Sequence, residues 1–325
     1  MADVEGPEFE EVARDRLSLL IQGAGAVGSL LAARLAVAGV DVTLLERNAT
    51  RRERLTQDGL LWIDGFGAHH VLKVPVLAAE CPGDRRFDLL LCCVKSWAVA
   101  SALEQGRRFL GERGLVMVVS NGLGNLEIAE SLWDPGRCLV GTNTYGATRL
   151  GQTGVRSQGE GILTVACRPQ ASAAWAQLPG LAEHLRRGLE IVVSTDAAAT
   201  IWHKAAVNCA INPVAALLGV PNGALLESPA YGLAEAIVRE VTSVARAHGV
   251  NLADDVVLQS LRHVCESTRD NRCSMLVDLE MGRETEISSL CEEVVRRAHV
   301  CGLDAAANAA MAQLIRARER LCRSS

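Results

Sequence analysis

The sequence predicts an α/β protein in two parts, a doubly wound sheet of parallel strands followed by an all-α half. Three observations carry this. Short, continuously apolar runs alternate with helical stretches as far as residue 195. A glycine-rich turn at 23–28 joins the first of these runs to a helix. From residue 197 onward the apolar spacing is helical throughout.

Residues 1–16, MADVEGPEFEEVARDR, are acidic and polar and read as a loose extension, with neither the apolar core of a signal peptide nor an acid-free amphipathic character. The first strand is 17–22, LSLLIQ, followed directly by Gly23-Ala24-Gly25-Ala26-Val27-Gly28. The helical SLLAARLAVAG, closed by Gly39, and a second strand, VDVTLLE, complete the unit. A G-x-G-x-x-G carries meaning only in this context of strand, turn, helix and strand, and here it predicts a Rossmann-like dinucleotide-binding unit. Gly23 permits the tight turn, Gly25 lets backbone approach a pyrophosphate, and Gly28 lets the helix pack on the sheet. The helix N-terminus offers its N–H groups to the phosphates.

The second strand ends in Glu46-Arg47. An acid at this place takes the ribose hydroxyls of NAD, whereas an arginine accommodates the 2′-phosphate of NADP. Arg51, Arg52 and Arg54 follow, and their excess positive charge favours a phosphate, so the reading leans to NADP(H). Further strands are expected at 71–76, 87–94 (FDLLLCCV) and 115–120 (LVMVVS). The carboxyl ends of the last two carry Lys95 and Asn121-Gly122-Leu123-Gly124, where ligands of open α/β sheets bind. Smaller strands in GTNTYG, GILTVA and EIVVST, with a helix over 173–187, extend this half. The expected boundaries are therefore an extension at 1–16, a dinucleotide-binding domain at 17–195 and a helical domain at 196–325.

In the helical half, AIVREVTSVARAHG, DVVLQSLRHVCEST, EISSLCEEVVRRAHVCG and ANAAMAQLIRARERL read as helices, with stops at Gly249 and Gly302 and a long helix beginning at the Glu286 segment. The most informative stretch is 201–226, IWHKAAVNCAINPVAALLGVPNGALL. Lys204, Asn208 and Asn212 lie four residues apart and share one face of an otherwise apolar helix. Stripes at this spacing usually face solvent. Asparagine is a poor helix former, however, and the helix has no second strongly polar face, so a cleft between the two halves fits better. Pro213 predicts a kink or helix end at Asn212, and Asn222-Gly223 a turn.

Composition bounds the function. The chain of 325 residues has a net charge of −5, which gives no reason to expect nucleic acid or a membrane surface as partner. Its 11 cysteines include no C-x-x-C pair and several lie in apolar runs, so reduced, mostly buried thiols in the cytoplasm and no metal site are expected.

Taken together, WHKAAVNCAINPVAALLGVPNG, Ser120-Asn121-Gly122-Leu123-Gly124, and Ser274-Met275-Leu276 with Asp278 and Thr285-Glu286-Ile287 resemble the ketopantoate reductase (2-dehydropantoate 2-reductase) family, over essentially the whole chain after Arg16. The resemblance implies an all-α second domain like the C-terminal domain of 6-phosphogluconate dehydrogenase. It also implies NADPH-dependent reduction of 2-dehydropantoate to pantoate on the route to coenzyme A. Carried over by motif, Lys204 is the general acid, and Glu286, Asn208, Asn212 and Ser274 bind substrate. Asn121 lies between cofactor and substrate, Lys95 near the cofactor, and Arg47 on the 2′-phosphate. The chemistry agrees, since a developing alkoxide needs a proton donor and positive charge, which an ammonium supplies.

After Ile287 the family usually has Asp and then Asn-Gly, where this chain has Ser288 and Cys291-Glu292. These departures allow one alternative, an NAD(P)-dependent reductase of another small branched 2-oxo acid; a second, of a different class, is a nonenzymatic NADP(H)-binding sensor, which would have no use for Lys204. A homodimer is a prior for such helical domains.

Overall fold

The computed structural model describes residues 17–80, 84–168 and 172–323, and the extension at 1–16 and Cys81 lie outside them. An eight-stranded sheet runs in the spatial order Ile191–Ser194, Leu163–Ala166, Cys138–Asn143, Leu110–Val118, Phe87–Cys92, Ser18–Gln22, Asp41–Leu45 and Val76–Leu77. All neighbours are parallel except Leu163–Ala166 against Cys138–Asn143. Alternate residues of the central strand feed two different cores: Leu19 and Ile21 join one, Leu20 the other. That is why these strands are apolar without alternation.

The expected strand at 71–76 is divided between two sheets. His69–Leu72 belongs to a separate four-stranded sheet with Leu60–Ile63, Gly154–Gln158 and Gly146–Leu150, while Val76–Leu77 joins the main sheet. Pro75 lies between them and has no N–H to place in a ladder. The GTNTYG stretch is likewise shared, its first residues ending Cys138–Asn143 and its last beginning Gly146–Leu150.

The helical half has its own core, built around the helix Ala197–Leu218. Asp196 starts that helix by accepting the Ala199 N–H at 2.9 Å. The helix does not end at Asn212: it continues through Pro213 to Leu218. Pro213 leaves the Cys209 carbonyl without its helical donor. The buried Cys291 thiol donates to that carbonyl at 3.9 Å, and the Cys273 thiol donates to the Asn212 carbonyl at 3.4 Å, so neighbouring elements brace the helix across its defect.

The expected long helix from Glu286 is also different. A wide turn over Ser288–Glu292 breaks at Leu290 (φ −103°, ψ −107°) before the helix Glu293–Val300 begins. The Ser289 carbonyl accepts the Leu123 N–H at 2.7 Å across the cleft, so it is not available to a continuing helix. Among the described residues no helix is long and apolar enough to cross a membrane, and the described cysteines are free thiols, most of them buried.

Candidate active site

The glycine turn has the geometry its sequence predicts. Gly23 has φ +96°, and a Cβ there would come within 2.8 Å of Val94. A Cβ on Gly28 would stand 2.1 Å from the Gly23 carbonyl, so the helix Ala26–Val37 can sit this close only on a glycine. A Cβ on Gly25, in contrast, meets nothing within 4 Å. Ala24, Ala26 and Val27 complete the turn, and the first N–H groups of the helix have no helical acceptors. An open face of bare backbone at a helix N-terminus fits a pyrophosphate. Gly25→Val is therefore expected to leave Tm within about 2 °C of the parent, because its φ of −67° suits any residue, while weakening coenzyme binding more than about tenfold in a fluorescence titration.

At the end of the second strand the arginines divide. Arg51 is turned inward and buried, 3.6 Å from the Glu46 carboxylate, while Arg52 donates to the Glu46 carbonyl at 3.3 Å and Arg54 lies 3.8 Å from Asp58. Arg47 is exposed and has no ion pair among the described residues. The structure thus takes Arg51 out of the expected phosphate-attracting cluster and leaves Arg47, nearest the strand end, as its exposed member without an ion pair among the described residues.

On the helix Ala197–Leu218, Lys204, Asn208 and Asn212 are partly exposed while Ala205, Ala206, Val207, Cys209, Ala210, Ile211 and Pro213 are buried. The stripe is therefore the more accessible face of the helix's middle turns, from Lys204 to Pro213. The Lys204 ammonium donates to the Asn143 carbonyl at 2.9 Å, at the end of the strand Cys138–Asn143. Burial brings its pKa down to about 8, against the opposing charge of Glu286. Neither Asn208 nor Asn212 has a side-chain hydrogen bond among the described residues, so both amides are available. Ser274 opens the short helix Ser274–Glu280, next to the Cys273 that is tied to Asn212, and its side chain is exposed.

Glu286 is 5 % exposed and gathers the two halves. Its carboxylate accepts the Ser96 N–H at 3.2 Å and the Asn121 amide at 3.1 Å, and Lys95 stands 3.6 Å away. Lys95 donates to Asp278 at 2.6 Å, and Arg283 reaches the other Asp278 oxygen at 3.1 Å. Burial would lower the Lys95 pKa, but Glu286 and Asp278 outweigh it and the ammonium is held above its ordinary range. Gly122, with φ +95°, has Ser289 so close that a Cβ would stand 2.3 Å from its hydroxyl. That hydroxyl lies 2.8 Å from the Ser96 hydroxyl, 3.2 Å from the Asn121 carbonyl and 3.1 Å from the Glu286 carbonyl, and its single proton serves one of them at a time.

The structure thus brings together Glu286, Asn121 and Lys95, with Lys204 under the influence of the Glu286 charge, while Ser274 makes no polar contact with them. Sequence reasoning missed Ser96, Asn143, Asp278 and Ser289. Only Asp278 had a usable signal, a carboxylate within the apolar SMLVDL.

Residues 19–170 match the family model described as Ketopantoate reductase PanE/ApbA, and residues 196–319 match its companion, Ketopantoate reductase PanE/ApbA C terminal. The chain belongs to the ketopantoate reductase family. The 2-dehydropantoate 2-reductase of Halobacterium salinarum is 34% identical over 306 residues, covering 94% of this chain and 99% of that protein. The PanE/ApbA family ketopantoate reductase from Ralstonia eutropha JMP134 superposes with a TM-score of 0.84 at 27% identity, covering 94% of this chain and 100% of that one. D-mandelate dehydrogenase, solved with NADH and anilino(oxo)acetate, shares the fold with a TM-score of 0.89 at 23% identity, covering 94% and 99% of the two chains.

Of the departures from the ketopantoate reductase pattern after Ile287, Cys291 packs and Glu292 pairs within the helical half, while Ser288 is partly buried. Cys291 is fully buried on the Cys209 carbonyl, and Glu292 pairs with Arg316 at 2.7 and 3.0 Å.

Proposed function

We propose that this chain catalyses the NADPH-dependent reduction of 2-dehydropantoate to pantoate, a step toward coenzyme A, as a cytoplasmic enzyme. In this reading 17–195 is the coenzyme domain and 196–325 the helical substrate domain. The observation that carries it is the Lys204 ammonium, set in the cleft on a backbone carbonyl with its pKa brought near working pH. A coenzyme-binding sensor has no need of a buried acid poised in this way.

When bound, NADPH supplies the hydride, and the open backbone at Gly25 with Arg47 would hold its phosphates. Lys204 exchanges the Asn143 carbonyl for the substrate carbonyl oxygen and protonates it as negative charge develops there. Asn208 and Asn212 present uncharged amides to the substrate carboxylate and hydroxyl, with the Ser274 hydroxyl at the rim. Glu286 accepts from the substrate hydroxyl while its charge keeps Lys204 protonated. Asn121, fixed on Glu286, stands at the boundary between coenzyme and substrate.

The test is NADPH oxidation with ketopantoate, alongside a panel of other branched 2-oxo acids. Turnover with ketopantoate at least about tenfold more efficient than with the others supports the reading, and coenzyme binding without turnover on any of them removes it.

The same lysine sets a pH dependence. Its acid form is needed for reduction and is lost as pH rises through about 8, so kcat for reduction should fall above that value, while the reverse oxidation, which needs the free amine, should rise through it. On stability the sign is opposite to that of an ion-paired lysine, whose pKa is raised. Between about 8 and the ordinary 10.5 the unfolded chain holds more protons at this residue, so its contribution to stability grows as pH rises across that window. A rate profile flat from pH 7 to about 10 would contradict the assignment.

A further inference from the structure

Glu46 stands where an acid ordinarily recruits the ribose diol of NAD, in a chain read here as an NADPH enzyme. Its carboxylate is already engaged. One oxygen accepts the Asn48 N–H at 2.8 Å, and the other lies 3.6 Å from the Arg51 guanidinium, with the Glu46 side chain only 11% exposed. Arg51 is 3% exposed, donates at 3.3 Å to the Ser29 hydroxyl in the first turns of the helix after the glycine turn, and leaves its Nε without a hydrogen-bond partner. The Ser29 hydroxyl is in turn fixed on the Ala24 carbonyl at 3.0 Å.

We propose that Arg51 is a positioning residue for coenzyme choice. It neutralises Glu46 and keeps its carboxylate away from the ribose, so that Arg47 alone meets the coenzyme's 2′ position and a phosphate is preferred there. The inference rests on the dinucleotide reading above. Burying a guanidinium is unfavourable, and its desolvation, with the charge of Arg149 nearby, draws the pKa down to about 10 against the pull of Glu46. The site bears this cost with a residue that touches neither the glycine turn's open face nor the cleft. Without Arg51, Glu46 would carry an uncompensated charge beside the 2′ position, repelling a phosphate and accepting from a free 2′-hydroxyl.

The experiment is a fluorescence titration of NADPH and NADH against the parent, Arg51→Gln, and Arg51→Gln with Glu46→Gln, with Tm recorded for each. In Arg51→Gln the NADPH Kd should rise about tenfold or more while the NADH Kd holds or falls, as expected for one charge-assisted contact inverted to repulsion. Adding Glu46→Gln should restore the preference for NADPH, which a merely structural arginine would not allow. Equal loss of both coenzymes without rescue by Glu46→Gln, or a parent that prefers NADH, overturns the proposal. A parent that binds neither coenzyme overturns the dinucleotide reading itself. If Arg51→Gln fails to fold, Glu46→Gln alone decides: with Glu46 already neutralised it should change the ratio less than about twofold, and a larger gain for NADPH sinks the idea.

Discussion

Replacing Lys204 by alanine is expected to lower kcat for ketopantoate reduction about 10²- to 10⁴-fold, with the NADPH Kd within about twofold of the parent. The ammonium is the donor aimed into the cleft from the helix Ala197–Leu218, and the residues beside it on the same face, Asn208 and Asn212, cannot give up a proton. The loss should fall on kcat because the interaction strengthens only as charge develops on the substrate oxygen. Stability should hold or improve, since burial already disfavours the charged form. Stopped-flow single turnovers and thermal melts check both halves. A variant that folds, binds NADPH and retains more than about a tenth of the parent rate would falsify the general-acid role.

Glu286→Ala should have the second largest effect, lowering kcat/KM about 10²- to 10³-fold. The change strands the Ser96 N–H and the Asn121 amide in a buried place and removes a negative charge from beside Lys95. Glu286→Gln is the more telling companion. Its amide oxygen can still accept from the Ser96 N–H, and its new N–H₂ can donate to a flipped Asn121 amide, so the architecture should persist. The Glu286 charge raises the Lys204 pKa against burial, so without it the fall in reduction rate should move to lower pH. An unmoved pH profile in Glu286→Gln, with activity lost, would mean that the carboxylate works on substrate alone.

The glycine turn, the apolar strands and the Lys204 stripe were legible because each is a local pattern with a fixed period. What escaped depends on contacts distant in sequence. Ser96 meets Glu286 from 190 residues away, and the four-stranded sheet pairs Gly154–Gln158 with Leu60–Ile63. Of the kink or helix end expected at Pro213, the end does not occur: the helix runs on to Leu218, where thiols from Cys291 and Cys273, which no local rule contains, donate to its carbonyls. The arginines at 51, 52 and 54 looked equivalent in sequence, yet only Arg51 faces inward from the helix Ala49–Asp58. The role of Ser289 required knowing that Gly122, with no side chain, would lie against it.

The resting partner of Lys204 is main chain, not a side chain. Substitution at position 143 changes the Asn143 amide, which among the described residues bonds to Tyr145, and leaves the carbonyl that receives the ammonium. The proton donor's parking place is therefore inherited with the sheet and is largely insulated from point mutation. On the proposed roles, Asn208, Asn212 and Ser274 could change one at a time, and with them the preferred 2-oxo acid, while the Lys204 ammonium keeps its carbonyl.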